Sequence, residues 1–190
     1  GAVERSLESG LESAEPLPGP LFVSRLLNHR HVESRFDDGD VQSLLDRQYS
    51  RQGPGVLAVD LNQDGWDDLV IGNGAGKAPD LFLNGQGRGF ERIEGAVPSS
   101  LFPGDQTAWA VYPGDSGDSV ELICAVSNYE NRIGVTNSVL RFRYSERRLI
   151  PLGSLPGWGD AVETLAVGDV DGDGKADLFA GGRMRPGRYP

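Results

Sequence analysis

Apolar positions in this chain fall in short runs punctuated by glycine, proline and acidic residues, with little of the 3.6-residue periodicity of an amphipathic helix. Val56-Leu-Ala-Val59 and Leu69-Val-Ile71 bracket one polar segment, and Leu165-Ala-Val167 and Leu178-Phe-Ala180 bracket another. Runs this short, rich in Val and Ile and ending near Gly, predict strands, so each unit reads as strand, loop, strand. Ala108 to Tyr112 and Leu122 to Val126 repeat the arrangement around an acidic, Gly-containing turn. Arg141, Arg143 and Ser145 alternate with Phe142 and Tyr144, the period-2 pattern of a strand with one solvated face. The best helical candidate, Val41 to Arg51, has few apolar positions and reads equally as irregular chain.

The two polar segments share one spelling. Asp60-Leu-Asn62-Gln-Asp64-Gly65-Trp66-Asp67-Asp68 and Asp169-Val-Asp171-Gly-Asp173-Gly174-Lys175-Ala-Asp177 both read D-x-[DN]-x-D-G-x-x-D. Side-chain oxygens stand at positions 1, 3, 5 and 9, and the backbone carbonyl at position 7, from Trp66 or Lys175, adds a fifth. Calcium is a hard cation that takes about six to eight oxygen ligands, and a glycine at position 6 lets the backbone turn sharply enough for them to converge. The candidate metal ligands are therefore Asp60, Asn62, Asp64, Trp66 and Asp68 in one loop and Asp169, Asp171, Asp173, Lys175 and Asp177 in the other. An EF-hand is excluded, because its position 12 demands a bidentate Glu and Ile71 and Ala180 stand there. Dockerin-like pairing and cysteine-linked calcium repeats are excluded too: the loops start 109 residues apart and Cys124 is the single cysteine. The second loop carries four carboxylates against three, and added ligand charge raises calcium affinity, so it is expected to bind more tightly.

Between the two lies a degenerate copy, with Tyr112 where the others begin with Asp and with no usable ligand set, so the three starts are spaced by 52 and 57 residues. A period near 50 residues fits a propeller blade of four short strands. Asp60 to Gly74 and Asp169 to Gly182 resemble the FG-GAP or VCBS repeats of integrin-α-type β-propellers. Leu81-Phe-Leu-Asn84-Gly-Gln-Gly-Arg-Gly-Phe90 resembles the hairpin that follows the calcium loop in that family. His31, Glu33, Phe36 and Asp38, with Leu44-Leu45, Ser50 and Gly53-Pro54, resemble the lead-in of bacterial relatives of cartilage acidic protein, the ASPIC/UnbV group, as does Gly181 to Pro190. The resemblance implies an all-β protein, a β-propeller fragment of FG-GAP/VCBS blades with calcium-binding hairpin loops that brace the blades.

The expected organisation is a flexible linker at 1–20, a lead-in at 21–54, a blade with a calcium loop at 55–107, a degenerate blade at 108–160 and a third, truncated blade with a calcium loop at 161–190. The chain is expected to be a piece of a longer protein, with the remaining blades among its partners, since propellers close with about four to eight blades.

Charge narrows the partner. With 28 acidic residues against 18 basic ones the net charge is −10, the wrong sign for nucleic acid. No apolar run is long enough to span a bilayer. Modest calcium loops in extracellular modules bind in about the 10⁻⁴ to 10⁻³ M range, which points to an extracellular or cell-surface protein, periplasmic or outer-surface if bacterial.

Other signals are weaker. Gly72-Asn-Gly74-Ala-Gly76-Lys77 suggests a phosphate loop, but Ile71 and Ala78 stand where a Walker A motif needs Gly and Ser or Thr, so it reads as a strand-end turn. Gly114-Asp-Ser116-Gly117 echoes a serine nucleophile without a positioned His and Asp. His29, His31 and Glu33 share a strand face and offer zinc ligands, but polar contacts from His31 and Glu33 to neighbouring loops are the simpler expectation. Trp66, Trp109 and Trp158 are expected to pack blades, and the Arg141, Arg143, Arg147 and Arg148 cluster to be solvated. The expected function is a non-catalytic scaffold that presents loops to a protein or glycan in adhesion or surface attachment. The alternative is an accessory repeat domain of a secreted polysaccharide-processing or phosphoester-cleaving enzyme.

Overall fold

The computed structural model describes residues 24–45, 47–51, 53–113, 120–130, 138–155 and 160–186. The expected linker at 1–20, the Asp115–Asp118 turn with Ser116, Trp158 and the last four residues lie outside them.

Among the described residues ten strands form three antiparallel sheets. The first contains β1 (Val56–Val59), β2 (Asp68–Ile71), β3 (Asp80–Asn84) and β4 (Phe90–Ile93) in sequential order. The second contains β5 (Gln106–Tyr112), β6 (Glu121–Val126), β7 (Val139–Ser145) and β8 (Arg148–Leu155), again in order. The third is the hairpin of β9 (Ala161–Gly168) and β10 (Asp177–Met184). Among the described residues there is no α-helix; two short 3-10 turns, Asp38–Asp40 and Ser99–Leu101, are the sole helical pieces. The described residues between Val41 and Arg51 form no helix, and Asp38 Oδ2 accepts the backbone N–H groups of Tyr49 and Ser50, folding the segment back on itself.

Sequential meanders of this kind leave each sheet with two faces to cover, and neighbouring sheets cover them. β6 (Glu-Leu-Ile-Cys-Ala-Val) is buried at every position, as expected for an interior strand with a sheet on both sides. The core between the first and second sheets joins Val70 and Leu81 to Phe102, Leu122 and Phe142. Its centre is aromatic: Phe102 stacks on Phe142 at 5.5 Å and Trp109 lies 6.0 Å from Phe142. Trp109 is thus a packing residue, 6% exposed. Trp66 is different; it is 44% exposed and its ring lies over the backbone of Gly87 in the β3–β4 turn.

The first strands of successive sheets touch directly. Gly55 N–H donates to Gln106 O at 2.9 Å, and the Thr107 hydroxyl, at a register shift in β5, donates to Val162 O at 2.7 Å. This contact explains the Gly-rich end of β2. A Cβ on Gly72 would stand 2.5 Å from Gln106 O, and one on Gly74 would stand 2.9 Å from both Val32 O and Glu33 Oε1. In the segment that resembled a phosphate loop, Gly72 and Gly74 are required by what packs against them and Gly76 by its left-handed φ of 73°.

The lead-in docks on the sheets without forming a strand. Gly74 N–H donates to Val32 O, the Ser34 hydroxyl to Ala75 O, and Phe36 and Tyr49 both pack on Tyr129. Arg141 and Arg143 are not simply solvated: both guanidinium groups face Glu121, whose side chain is almost fully buried. A buried carboxylate requires such partners.

Candidate metal centre

Each polar loop closes a hairpin between paired strands, β1 with β2 and β9 with β10. The two share one hydrogen-bond plan, to which the second adds Gly172 N–H to Asp169 Oδ1 at 2.7 Å and the first adds the Asn62 amide to Asp64 Oδ2 at 3.2 Å. At position 1, Asp60 accepts the N–H groups of Asp64 (3.0 Å) and Gly65 (2.8 Å), and Asp169 accepts those of Asp173 (3.1 Å) and Gly174 (2.9 Å). At position 3, Asn62 Oδ1 accepts from Asp64 and Asp171 Oδ1 from Asp173, each at 3.1 Å. At position 5, Asp64 accepts from Trp66 at 3.0 Å and Asp173 from Lys175 at 2.8 Å. At position 9, Asp68 accepts from Leu61 at 3.0 Å and Asp177 from Val170 at 2.9 Å. Successive N–H groups therefore turn every acidic side chain back over the loop that carries it.

Two positions in each loop have left-handed backbone. Gly65 and Gly174 at position 6 have φ of 87° and 82°, as the spelling predicts. Position 4 is left-handed too, at Gln63 (φ 59°) and Gly172 (φ 80°), which pattern reasoning missed because Gln63 disguises the requirement. A Gly at position 4 of the second loop was the available signal.

The loops differ in how their carboxylates converge. Asp169, Asp171 and Asp177 bring one oxygen each within 4.8 Å of one another, and all three are exposed. Asp173 faces Lys175, whose Nζ is 3.3 Å from Oδ2. In the first loop Asp68 is 0% exposed and both of its oxygens are engaged, Oδ2 by Leu61 N–H and Oδ1 by Asn84 N–H at 2.7 Å. Burial raises its pKa, and the two N–H groups oppose that shift. The difference follows from neighbours: β3 covers Asp68, whereas β10 ends its sheet among the described strands.

Asn84 is the second residue whose role the sequence did not give. Besides holding Asp68, its side chain donates to Asp67 O at 3.0 Å and accepts Gly87 N–H at 2.8 Å. It locks the β3–β4 turn, left-handed at Gln86 and Gly87, to the first loop. His29, His31 and Glu33 do not form a common site. His29 Nδ1 lies 2.9 Å from Asp80 Oδ2, while His31 pairs with Glu33 itself.

The oxygen-only donor set, its inward hydrogen-bonded geometry and the convergence of Asp169, Asp171 and Asp177 fit a hard divalent cation. The family model of the FG-GAP repeat matches residues 53–90 and 161–185. These segments hold both loops together with their flanking strands, and the first also holds Asn84. No curated protein and no solved structure matches the chain. The two segments similar to FG-GAP repeats lie on an all-β frame of antiparallel meanders, consistent with a β-propeller fragment.

Proposed function

We propose that this is an extracellular or cell-surface calcium-braced β-propeller module, a non-catalytic scaffold that presents its loops to a protein or glycan partner. The observation that carries it is the pair of loops with one hydrogen-bond plan, each inside a matched repeat. Asp60, Asn62, Asp64 and Asp68 would hold one ion, and Asp169, Asp171, Asp173 and Asp177 the other, with the carbonyls of Trp66 and Lys175 completing the sets. Calcium supplies charge neutralisation: it removes the repulsion among carboxylates that the loop N–H groups already aim at one point. It thereby stabilises the hairpins that set the blade edges.

The loop face offers contacts to a partner. A surface groove beside the first loop is lined by Asn62, Asn84, Phe90, Glu91 and Arg147, and Trp66 stands exposed nearby. Amide, aromatic and charged groups together suit a polar protein loop or a sugar. No helix among the described residues is long and apolar enough to cross a membrane.

Thermal unfolding in EDTA and in about 1 mM calcium tests the brace. With a dissociation constant of about 10⁻⁴ M, each site adds about 1.4 kcal/mol, so two raise the midpoint by about 6–12 °C. Asp64→Ala and Asp173→Ala should each remove part of that rise, and a midpoint indifferent to calcium would refute the brace. The partner is sought on arrays of glycans and matrix proteins, with Phe90→Ala and Arg147→Ala as controls. Binding that neither variant weakens would move the partner surface elsewhere.

A further inference from the structure

Away from both loops, three acidic residues from distant parts of the chain meet between the lead-in and the sheets. Glu33 comes from the lead-in, Asp105 immediately precedes β5 and Glu130 follows β6. One carboxylate oxygen of each lies within 4.8 Å of the others. The surroundings hold them there. Asp105, 4% exposed, accepts Ala75 N–H at 2.9 Å through Oδ1, and its own carbonyl accepts Ser127 N–H at 2.8 Å. Glu33 gives one oxygen to His31 and turns the other, Oε1, toward Gly74, the glycine that leaves room for it.

A surplus of buried acceptors surrounds this point. Among the described residues Glu130 Oε1 is inaccessible to solvent and has no hydrogen-bond partner, and Glu33 Oε1, likewise inaccessible, has none outside the trio, where the Glu33 carboxyl faces that of Asp105. Asp38 is independent of the trio. It is 4% exposed, its Oδ2 is fixed by Tyr49 and Ser50, and its Oδ1 is buried with no partner. Asp38 is near enough for its charge to act on Glu130. Buried unpaired carboxylate oxygens are costly, and a cation satisfies several at once. We propose that Glu33, Asp105 and Glu130, backed by Asp38, form a third cation site of a different kind, which takes calcium and clamps the lead-in onto the first two sheets.

The donors decide the metal class. They are all carboxylate oxygens, which favour calcium over the softer ions that seek His or Cys. With no cation present, burial and then the charges of Glu130 and Glu33 push Asp105 up to about 8; burial, Glu33 and Asp38 push Glu130 up to about 7. The same repulsion is what a bound divalent ion relieves.

The test counts calcium on the whole chain by equilibrium dialysis at about 1 mM calcium, near the extracellular range. Asp105→Asn keeps an oxygen for Ala75 N–H and should lose one bound calcium per chain, as should Glu130→Gln. A chain carrying Asp60→Ala and Asp169→Ala should retain one calcium, and adding Asp105→Asn should remove it. Where the loop variants fail to fold, the single variants decide. In EDTA, Asp105→Asn should melt no lower than the parent, since Asn keeps the acceptor for Ala75 N–H and carries no charge for Glu33 and Glu130 to repel, yet it should gain less from added calcium. Unchanged stoichiometry in Asp105→Asn and Glu130→Gln overturns the site, as does a loss of stability in Asp105→Asn that calcium does not influence. Because this site shares no ligand with the loops, failure of the loop sites leaves its count intact, and the converse holds.

Discussion

Asp68 and Asp64 sit four residues apart in one loop, yet only the replacement of Asp68 by Ala should cost much stability when calcium is absent. Asp68 is fully buried and accepts two backbone N–H groups, from Leu61 at 3.0 Å and Asn84 at 2.7 Å. Removing it orphans both donors, each at a cost of about 1–3 kcal/mol. Since burial also raises its pKa, part of the carboxylate's advantage is already spent, and a loss near 3 kcal/mol is expected. In a chain of this size that lowers the melting midpoint by about 6–12 °C in EDTA, and in calcium the loss of a ligand adds to it. Asp64 is exposed and accepts Trp66 N–H and the Asn62 side-chain amide, both open to water, so Asp64→Ala should cost under about 1 kcal/mol in EDTA and show its main loss when calcium is added. Differential scanning calorimetry of both variants, each in EDTA and in calcium, gives the four midpoints needed. If Asp68→Ala in EDTA melts no lower than Asp64→Ala, Asp68 is not the brace described here.

Three further outcomes follow from the same geometry. Gln63→Gly should raise the urea midpoint, because relief of a left-handed non-glycine residue at about 1–2 kcal/mol exceeds the added entropy of an unfolded glycine at about 0.4–1 kcal/mol; a lower midpoint would show that Gln63 is unstrained. Gly72→Ala should destabilise by about 1–3 kcal/mol, since its Cβ would meet the Gln106 carbonyl at 2.5 Å and backbone cannot swing aside; a neutral result in the same titration would mean that the contact between the end of β2 and β5 is loose. Cys124 is fully buried with its thiol pKa raised by burial, so a thiol-specific disulfide reagent at about pH 8 should label it only as the chain unfolds, and rapid native labelling would contradict the closed core.

How much was legible depended on the range of the forces involved. The strands beside the loops could be read from apolar runs at Val56–Val59 and Leu178–Ala180, because a half-buried strand writes its environment into neighbouring residues. Trp66 and Trp109 look alike in the chain, yet one covers a turn and the other fills the space between sheets, since burial is set by what arrives from elsewhere. Arg141 and Arg143 alternate as a solvated face should, but Glu121 on the neighbouring strand takes both.

The two loops were written in local spelling. The hydrogen bonds internal to each span at most seven residues, from Leu61 to Asp68 and from Val170 to Asp177, so spacing and two left-handed positions suffice to build them. Only the tertiary structure decided the rest: that Gly72 and Gly74 are demanded by backbone from other segments, that Asn84 holds Asp68, and that Glu33, Asp105 and Glu130 converge. Those residues are separated by tens of positions, and no local pattern records which distant carboxylate a folded chain will place beside another. The proximity is a product of sheet packing, and sheet packing is a property of the whole chain.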